Sequence, residues 1–480
     1  MHLRGTRVLV MGLGVHGGGL GVTRWLIRQG AHVTVTDMAT AEALAESLAA
    51  LRHAAHVAGA QVEYVLGGHR AEDFSQHAMI VVNPAVRPDS HWLALARASG
   101  AQIETEMTLF FRHCPGPIIG ITGTKGKSTT TLLTGAMLRQ QYPDTVVAGN
   151  LRVSALEALE HITPTTPVVL ELSSFQLMGL GAAGMSPRYA CVTNIAPDHL
   201  DYHGSMQAYI TAKQQIFYHQ SAGDVVVLAE ELTRENWASG SVPFYRPGAD
   251  ALNTRARRCY TFSADPERTA DCSITRHGQI VCGTVHIADQ TDIRLPGTHN
   301  LANVLAATTL AHSAGVSAAN IRAAIRSFGG VEHRLELVAE HAGIRYVNDT
   351  TATNPTAAQA ALHSFSEPIV LLAGGADKQL PLDTLAQTIA QRVKALVLLA
   401  GSATERLEHA VRRQSCSVPI SGPYTDFAAA IHAAQALAAP GDVILLSPGC
   451  ASFGMFLNEF HRGEEFRRIV TSEKGATIGL

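Results

Sequence analysis

Residues Pro117 to Gln140 read Pro-Ile-Ile-Gly-Ile-Thr-Gly-Thr-Lys-Gly-Lys-Ser-Thr-Thr-Thr-Leu-Leu-Thr-Gly-Ala-Met-Leu-Arg-Gln. A short apolar run, a glycine-punctuated turn and then apolar residues three and four apart predict strand, phosphate-binding loop and helix, in that order. Gly123 and Gly126 let the backbone curl so that the N–H groups around Thr124 and Lys125 point inward. Lys127 supplies a cation for the β- and γ-phosphates, Ser128 offers a hydroxyl to Mg²⁺, and Thr129 lies in the first turn of the helix. The helix opening at Ser128 adds its N-terminal dipole. The strict GxxxxGK[ST] pattern wants a glycine where Ile121 stands; the shorter Gly-Thr-Lys-Gly-Lys-Ser-Thr core keeps every working group.

A chain of 480 residues is too long for one ordinary domain, and three are expected. Apolar residues make up 46% and charged residues 16%, with a formal net charge of -3. That balance describes large cores and gives no reason to expect nucleic acid or an anionic membrane as partner, so an anionic ligand must be gripped locally. The cysteines at 114, 191, 259, 272, 282, 416 and 450 form no C-x-x-C pair, which predicts reduced core thiols of a cytoplasmic protein. The apolar opening Val8 to Val15 is glycine-interrupted and too short for a signal-peptide core, and no apolar run approaches membrane-spanning length.

The first part of the chain carries Arg7-Val-Leu-Val-Met followed by Gly12-x-Gly14-x-x-Gly17, then a helical stretch and a second strand ending on Asp37. This spacing matches a dinucleotide fingerprint. No further site for hydride transfer is evident, so a Rossmann-like domain holding a nucleotide-linked substrate is preferred over a nicotinamide-dependent oxidoreductase. A strand from Met79 ends at Asn83, and Cys114-Pro-Gly-Pro117 marks the first boundary.

The phosphate loop opens the second domain. A strand there ends on Gly149-Asn150, and Pro167-Val-Val-Leu-Glu-Leu-Ser-Ser-Phe-Gln predicts a buried strand carrying Glu171, whose burial demands a cation or strong hydrogen bonds. Asn194, Asp198, His199 and Asp201 form a dense polar loop before a helix with Tyr209 and Lys213. Residues 224–296 carry short alternating runs that predict a small antiparallel annex, and Asn300 and Asn303 share the face of a following helix. After Gly329-Gly330, four apolar runs alternate with helices and end in polar tips, the pattern of a second Rossmann-like layer. The expected fold is α/β in three domains. These are an N-terminal Rossmann-like domain (1–112), a central phosphate-loop ATPase-like parallel sheet with the annex (113–328), and a C-terminal Rossmann-like domain (329–480).

Ordered motifs along nearly the whole chain resemble the Mur ligase family of peptidoglycan synthesis. They are Gly-Thr-Lys-Gly-Lys-Ser-Thr, Glu-Leu-Ser-Ser-Phe-Gln, Asn-x-x-x-Asp-His-Leu-Asp, Ala-Lys213, Gly-Thr-His-Asn-x-x-Asn, Glu-His-Arg334, Asn-Asp349-Thr-Thr-Ala-Thr-Asn354, and Ser-Pro-Gly-Cys-Ala-Ser-Phe followed by Arg462-Gly463. Glu-Leu-Ser-Ser-Phe-Gln is most similar to the glutamate-adding branch. The resemblance implies a monomeric ATP-dependent ligase that adds glutamate to UDP-N-acetylmuramoyl-L-alanine through an acyl phosphate. It implies ATP contacts from Gly123 to Thr129 and from Asn300, Asn303, Arg334 and Asp349, with Mg²⁺ at Ser128, Glu171, His199 and a carbamylated Lys213. Lys127, Glu171, His199 and Lys213 would form the catalytic set. Gly14, Val15, His16, Asp37, Asn83, Asn150 and Ser173 would hold the UDP substrate, and Thr353, Lys378 and Ser452 the glutamate. Two positions depart from the pattern: Thr351 stands where relatives carry lysine, and Asn458-Glu459 where they carry Asn-Phe. D-glutamate is the expected substrate, with L-glutamate the alternative.

Overall fold

A computed structural model describes residues 3–14, 18–84, 86–150, 154–233, 244–245, 257–295, 299–414 and 418–472. Val15, His16 and Cys416 lie outside them. The chain forms two compact units, Met1–Ile293 with Leu301–Arg326, and Arg294–Asn300 with Ser327–Leu480.

The first unit holds two sheets. Strands β1 (Arg7–Met11), β2 (His32–Asp37), β3 (Val62–Leu66), β4 (Met79–Val82) and β5 (Gln102–Glu104) pair in parallel in the order β3-β2-β1-β4-β5. The order reverses between β1 and β4, which opens a crevice at the carboxyl ends of these strands, beside Gly12 and Gly14. Leu9, Val10 and Ile80 are fully buried, as expected of a parallel strand covered on both faces.

The second sheet comprises β6 (Ile118–Thr122), β7 (Val146–Gly149), β8 (Val168–Glu171), β9 (Tyr189–Val192), β10 (Val225–Ala229), β11 (Phe244–Tyr245), β12 (Arg257–Ser263), β13 (Cys272–Ile274), β14 (Gln279–Cys282) and β15 (Val285–Asp289). Its order is β15-β14-β13-β12-β10-β9-β6-β8-β7, with β11 beside β12. Among the described residues of this sheet, antiparallel pairing is confined to β14, which runs antiparallel to β13 on one side and to β15 on the other; β12 runs parallel to both β10 and β13. The predicted annex is therefore smaller than residues 224–296, because β10 and β12 continue the parallel sheet. Ile121 is fully buried in β6, paired with Glu171 and Cys191. That placement explains the missing motif glycine: the loop begins to curl only at Gly123.

In the second unit, β16 (Glu336–His341), β17 (Ile344–Asn348), β18 (Ile369–Ala373), β19 (Val393–Leu399), β20 (Ile420–Tyr424) and β21 (Val443–Leu446) pair in the order β16-β17-β21-β18-β19-β20. All are parallel except the edge strand β16. Apolar clusters cover both faces, one around Leu371, Leu396 and Leu445 and the other around Val370, Val397 and Ile444. Among the described residues no helix is long and apolar enough to cross a membrane.

Candidate active site

The phosphate loop is held from below by its own sheet. Gly126 caps the helix Lys127–Arg139 in the left-handed region, with φ of 80°. A Cβ there would lie 2.0 Å from the Asn303 Oδ1, so glycine is required both by its dihedral and by the close approach of the neighbouring helix. The residues following β9 brace the loop. Thr124 N–H donates to the Asn194 carbonyl at 3.0 Å, and Lys125 N–H donates to Asn194 Oδ1 at 2.9 Å. The Asn194 amide and the Thr193 hydroxyl donate to the Lys125 carbonyl at 2.8 and 2.7 Å. The Thr124 hydroxyl accepts from Ala196 N–H at 3.0 Å and lies 3.2 Å from the Tyr209 hydroxyl.

Two lysines converge on this turn. Lys127 Nζ donates to the carbonyls of Gly123 and Thr124 at 3.0 and 2.9 Å. Lys213, buried on the helix Met206–Tyr218, donates to the Gly123 carbonyl at 2.8 Å and lies 4.7 Å from the centre of the Tyr209 ring. Burial and then the neighbouring Lys127 charge push its pKa down to about 7, against the opposing pull of Asp198 and Glu171. Ser128 and Thr129 sit half-buried in the first helical turn, and Lys125 is exposed.

Glu171 ends β8 almost fully buried. Its Oε1 accepts from Asn150 Nδ2 at 2.9 Å, whereas Oε2 has no hydrogen-bond partner among the described residues. An anionic oxygen buried without a donor is unfavourable unless a cation joins it, so this orphaned atom fits a Mg²⁺ ligand. His199, left-handed with φ of 51°, is half-exposed, 3.6 Å from Asp198 through Nε2, and edge-on to Phe175. Among the described residues no three His, Cys, Asp or Glu side chains group as a metal site. A divalent ion here would therefore need the Ser128 hydroxyl, phosphate oxygens or a modified Lys213 beside Glu171 and His199. The side chain of Ser173 caps the helix Ser174–Ala182 in a reciprocal box with Gln176.

At the crevice of the first sheet, Asp37 accepts from Gly14 N–H at 3.1 Å and from Ala39 N–H at 2.9 Å. Asn83 approaches from β4: a Cβ on Gly12 would lie 3.0 Å from the Asn83 Cβ. Gly14, Asp37 and Asn83 are thus brought together. His69, which the motifs did not single out, joins them with Nδ1 2.7 Å from the Thr36 hydroxyl and its ring edge-on to Phe74 and Trp92. Gly67-Gly68-His69 directly after β3 was the available signal. Glu106 was also missed. Its Oε1 accepts from the Ser154 hydroxyl at 2.6 Å, and burial pushes its pKa up to about 7.

The second unit gathers the remaining candidates. Paired hydrogen bonds between Ala376 and Ala451 lay the loop after β18 beside the loop after β21. Lys378 Nζ then donates to the Thr353 hydroxyl at 3.0 Å, while Ser452 Oγ is buried without a partner among the described residues. Thr351 cannot serve as a free donor, since its hydroxyl is given to the His333 carbonyl at 2.9 Å. Glu459 is half-buried beside Arg462, which also donates to Thr350. Asp349 is buried, accepts from the Ser447 hydroxyl at 2.7 Å, and burial raises its pKa to about 7 despite the pull of the exposed Arg334. Asn300, in the second unit, and Asn303, in the first, are each buried on the helix His299–Ser313.

A braced phosphate loop followed by a buried metal-seeking carboxylate, with a diphosphate-type crevice on a separate parallel sheet, defines a nucleotide-binding α/β protein equipped for phosphoryl transfer. The chain belongs to the Mur ligase family. Family models match in sequence: "Mur ligase MurD-like, N-terminal domain" over residues 6–105, "Mur ligase middle domain" over 121–311, and "Mur ligase, glutamate ligase domain" over 333–450. The chain is 56% identical over 478 residues to a UDP-N-acetylmuramoylalanine--D-glutamate ligase of Roseiflexus sp. (strain RS-1), covering 98% of this chain and 100% of that one. A protein of the same name from Symbiobacterium thermophilum is 38% identical, with 97% of each chain covered. Among solved structures, UDP-N-acetylmuramate-alanine ligase MurC from Thermotoga maritima shares the fold, with a TM-score of 0.57 at 18% identity over 98% of this chain and 100% of that one.

Proposed function

We propose that this chain joins D-glutamate to UDP-N-acetylmuramoyl-L-alanine in an ATP-dependent, ADP-forming reaction of peptidoglycan precursor synthesis in the cytoplasm. The observation that carries the reading is full-length identity of 56% to a ligase of that name. The braced loop and the orphaned Glu171 oxygen supply the chemistry such a ligase needs. A carboxylate does not condense with an amine at neutral pH. Its oxygen must first attack the γ-phosphorus of ATP, releasing ADP and forming an acyl phosphate. The glutamate amine then attacks the acyl carbon, phosphate leaves with the C–O bond electrons, and the amine gives up a proton. Both steps ask the protein chiefly for positioning and charge neutralisation.

In this scheme residues 1–112, 113–328 and 329–480 act as domains for the UDP substrate, ATP and glutamate. The backbone at the helix start, Gly126 to Thr129, and the Lys127 ammonium hold the β- and γ-phosphates, while Gly123, Thr124 and Lys125 shape the loop around them, the Thr124 and Lys125 N–H groups being given to Asn194; Asn300, Asn303, Arg334 and Asp349 complete the ATP contacts. Gly14, Asp37, Asn83 and Asn150 orient the UDP substrate, and Thr353, Lys378 and Ser452 the glutamate carboxylates. Ser128, Glu171, His199 and Lys213 would hold Mg²⁺, which when bound neutralises phosphate oxygens during transfer. A bare Lys213 ammonium would oppose that cation. It donates to neutral oxygens at Gly123 and Thr122, and addition of its amine to CO₂, with loss of a proton, would turn it into an oxygen ligand.

ADP release measured with UDP-N-acetylmuramoyl-L-alanine and each glutamate enantiomer separately tests the reading. Turnover is expected with D-glutamate and only when all three substrates are present. Equal ADP release without the muramoyl substrate, or turnover confined to L-glutamate, would overturn it. The Lys213 assignment is tested by Lys213→Ala, which should lose activity and regain part of it with added short carboxylates.

A further inference from the structure

Two of the described cysteines are arranged differently from the rest. Cys272 on β13 and Cys282 on β14 are direct cross-strand partners in an antiparallel pair. Gly283 N–H donates to the Asp271 carbonyl at 2.8 Å, the bond that flanks this pair, and Thr275 N–H donates to the Gln279 carbonyl at 2.8 Å three positions along. This alternation makes Cys272 and Cys282 a non-hydrogen-bonded pair, the narrow kind, with Cα atoms about 4.5 Å apart. A disulfide needs a Cα separation of about 4.4–6.8 Å, so closure asks for no movement of either strand. Both thiols are free and buried, 1% and 6% exposed. The remaining described cysteines, 114, 191, 259 and 450, have no such facing partner in the strand registers. Asp271, whose charge bears on Cys282, is engaged by the Thr261 N–H and hydroxyl at 2.7 and 2.8 Å.

We propose that Cys272 and Cys282 form a redox modification site, in which a peroxide-class oxidant closes a disulfide across the β13–β14 hairpin. One sulfur, having given up its proton, attacks a peroxide oxygen; the O–O bond breaks and the leaving hydroxide takes the proton as water. The second thiol sulfur attacks the resulting sulfenic sulfur, the S–O bond breaks, a second water leaves and the S–S bond forms. Two electrons pass from the two sulfurs to the peroxide, and a dithiol reductant returns them by exchange. Peroxide is favoured over a bulky disulfide because the burial of both sulfurs admits only a reagent near the size of water. The neighbouring Cys272 thiol, and then burial, push the Cys282 thiol up and keep it protonated, which makes this a slow site that registers sustained oxidant. None of the phosphate-loop groups lies on these strands, and β12, β10 and β9 intervene before β6. Closing the link therefore stiffens the annex while leaving basal ATP turnover unchanged.

The test treats the folded full-length protein with hydrogen peroxide, then denatures it and alkylates the remaining thiols. Two of the seven cysteines should resist alkylation, and a non-reducing peptide map should join the segments containing 272 and 282. Dithiothreitol should restore both thiols. Amide exchange within the hairpin should slow by roughly tenfold or more after oxidation. Cys272→Val, and independently Cys282→Val should the first variant fold poorly, must abolish the reducible link. Seven alkylatable thiols after treatment, a link to a different cysteine, or sulfinic acid at either position without a link would each overturn the proposal.

Discussion

Replacing Glu106 by glutamine should remove a pH-dependent loss of stability that the wild-type carboxylate imposes. Burial raises the pKa of this side chain from 4.5 to about 7, more than the Ser154 hydroxyl and the Ala155 N–H can offset. The fold thus favours the protonated acid. Its stabilising contribution is present below about pH 4.5 and is lost as pH rises through about 7, because in that window the folded chain holds a proton that the unfolded chain has released. The slope is about 1.4 kcal/mol per pH unit. Between pH 5 and pH 7 the wild type should therefore lose about 2 kcal/mol more than Glu106→Gln. Glutamine keeps an Oε1 acceptor for the Ser154 hydroxyl at its 2.6 Å bond but cannot titrate. The measurement is urea unfolding of both apo proteins across that range, read on the transition of the first unit, so that titrations elsewhere cancel in the difference. Stability curves that stay parallel within about 0.5 kcal/mol would refute the reasoning.

Lys127→Ala should lower ATP turnover by roughly 10²-fold or more while leaving affinity for the UDP substrate within a few-fold; steady-state kinetics and a binding titration separate the two. Gly126→Ala must force a side chain into a left-handed position costing about 1–2 kcal/mol and push Asn303 away from the loop. A turnover loss of at least roughly tenfold with a lowered melting temperature is expected, and unchanged kinetics would count against the loop geometry. Lys378→Ala removes the cation that meets the Thr353 hydroxyl. KM for D-glutamate should rise by roughly tenfold or more with KM for ATP unmoved.

Much of the site was legible because its chemistry is written in contiguous runs. The phosphate loop, the end of β8 at Glu171 and the polar tips of the third sheet each announce themselves by an apolar strand meeting a polar residue. Partners that come together through sheet order were not legible. The Thr193 and Asn194 bonds to Lys125 depend on β9 lying beside β6, a neighbour distant in sequence. His69 follows β3, a strand of weak apolar pattern (Val-Glu-Tyr-Val-Leu) that is only half-buried. The sequence pattern of β12 reads equally well for either strand direction, whereas the structure pairs it in parallel with β10. The hydroxyls of Ser173 and Thr351 illustrate the same limit: one caps a helix and the other donates to the His333 carbonyl, bonds that the local sequence does not announce.

The bracing of the phosphate loop also bears on the kinetics of nucleotide exchange. The loop N–H groups at Thr124 and Lys125 and the carbonyls of Gly123, Thr124 and Lys125 are already tied to the β9 tip or to the two lysines before any nucleotide arrives. The configurational freedom of the segment is surrendered when the sheet forms, so association needs no rearrangement of the loop. Its rate should follow encounter frequency and ionic strength. Variants that loosen the brace, such as Asn194→Ala, would then shorten the lifetime of the bound nucleotide more than they slow its arrival.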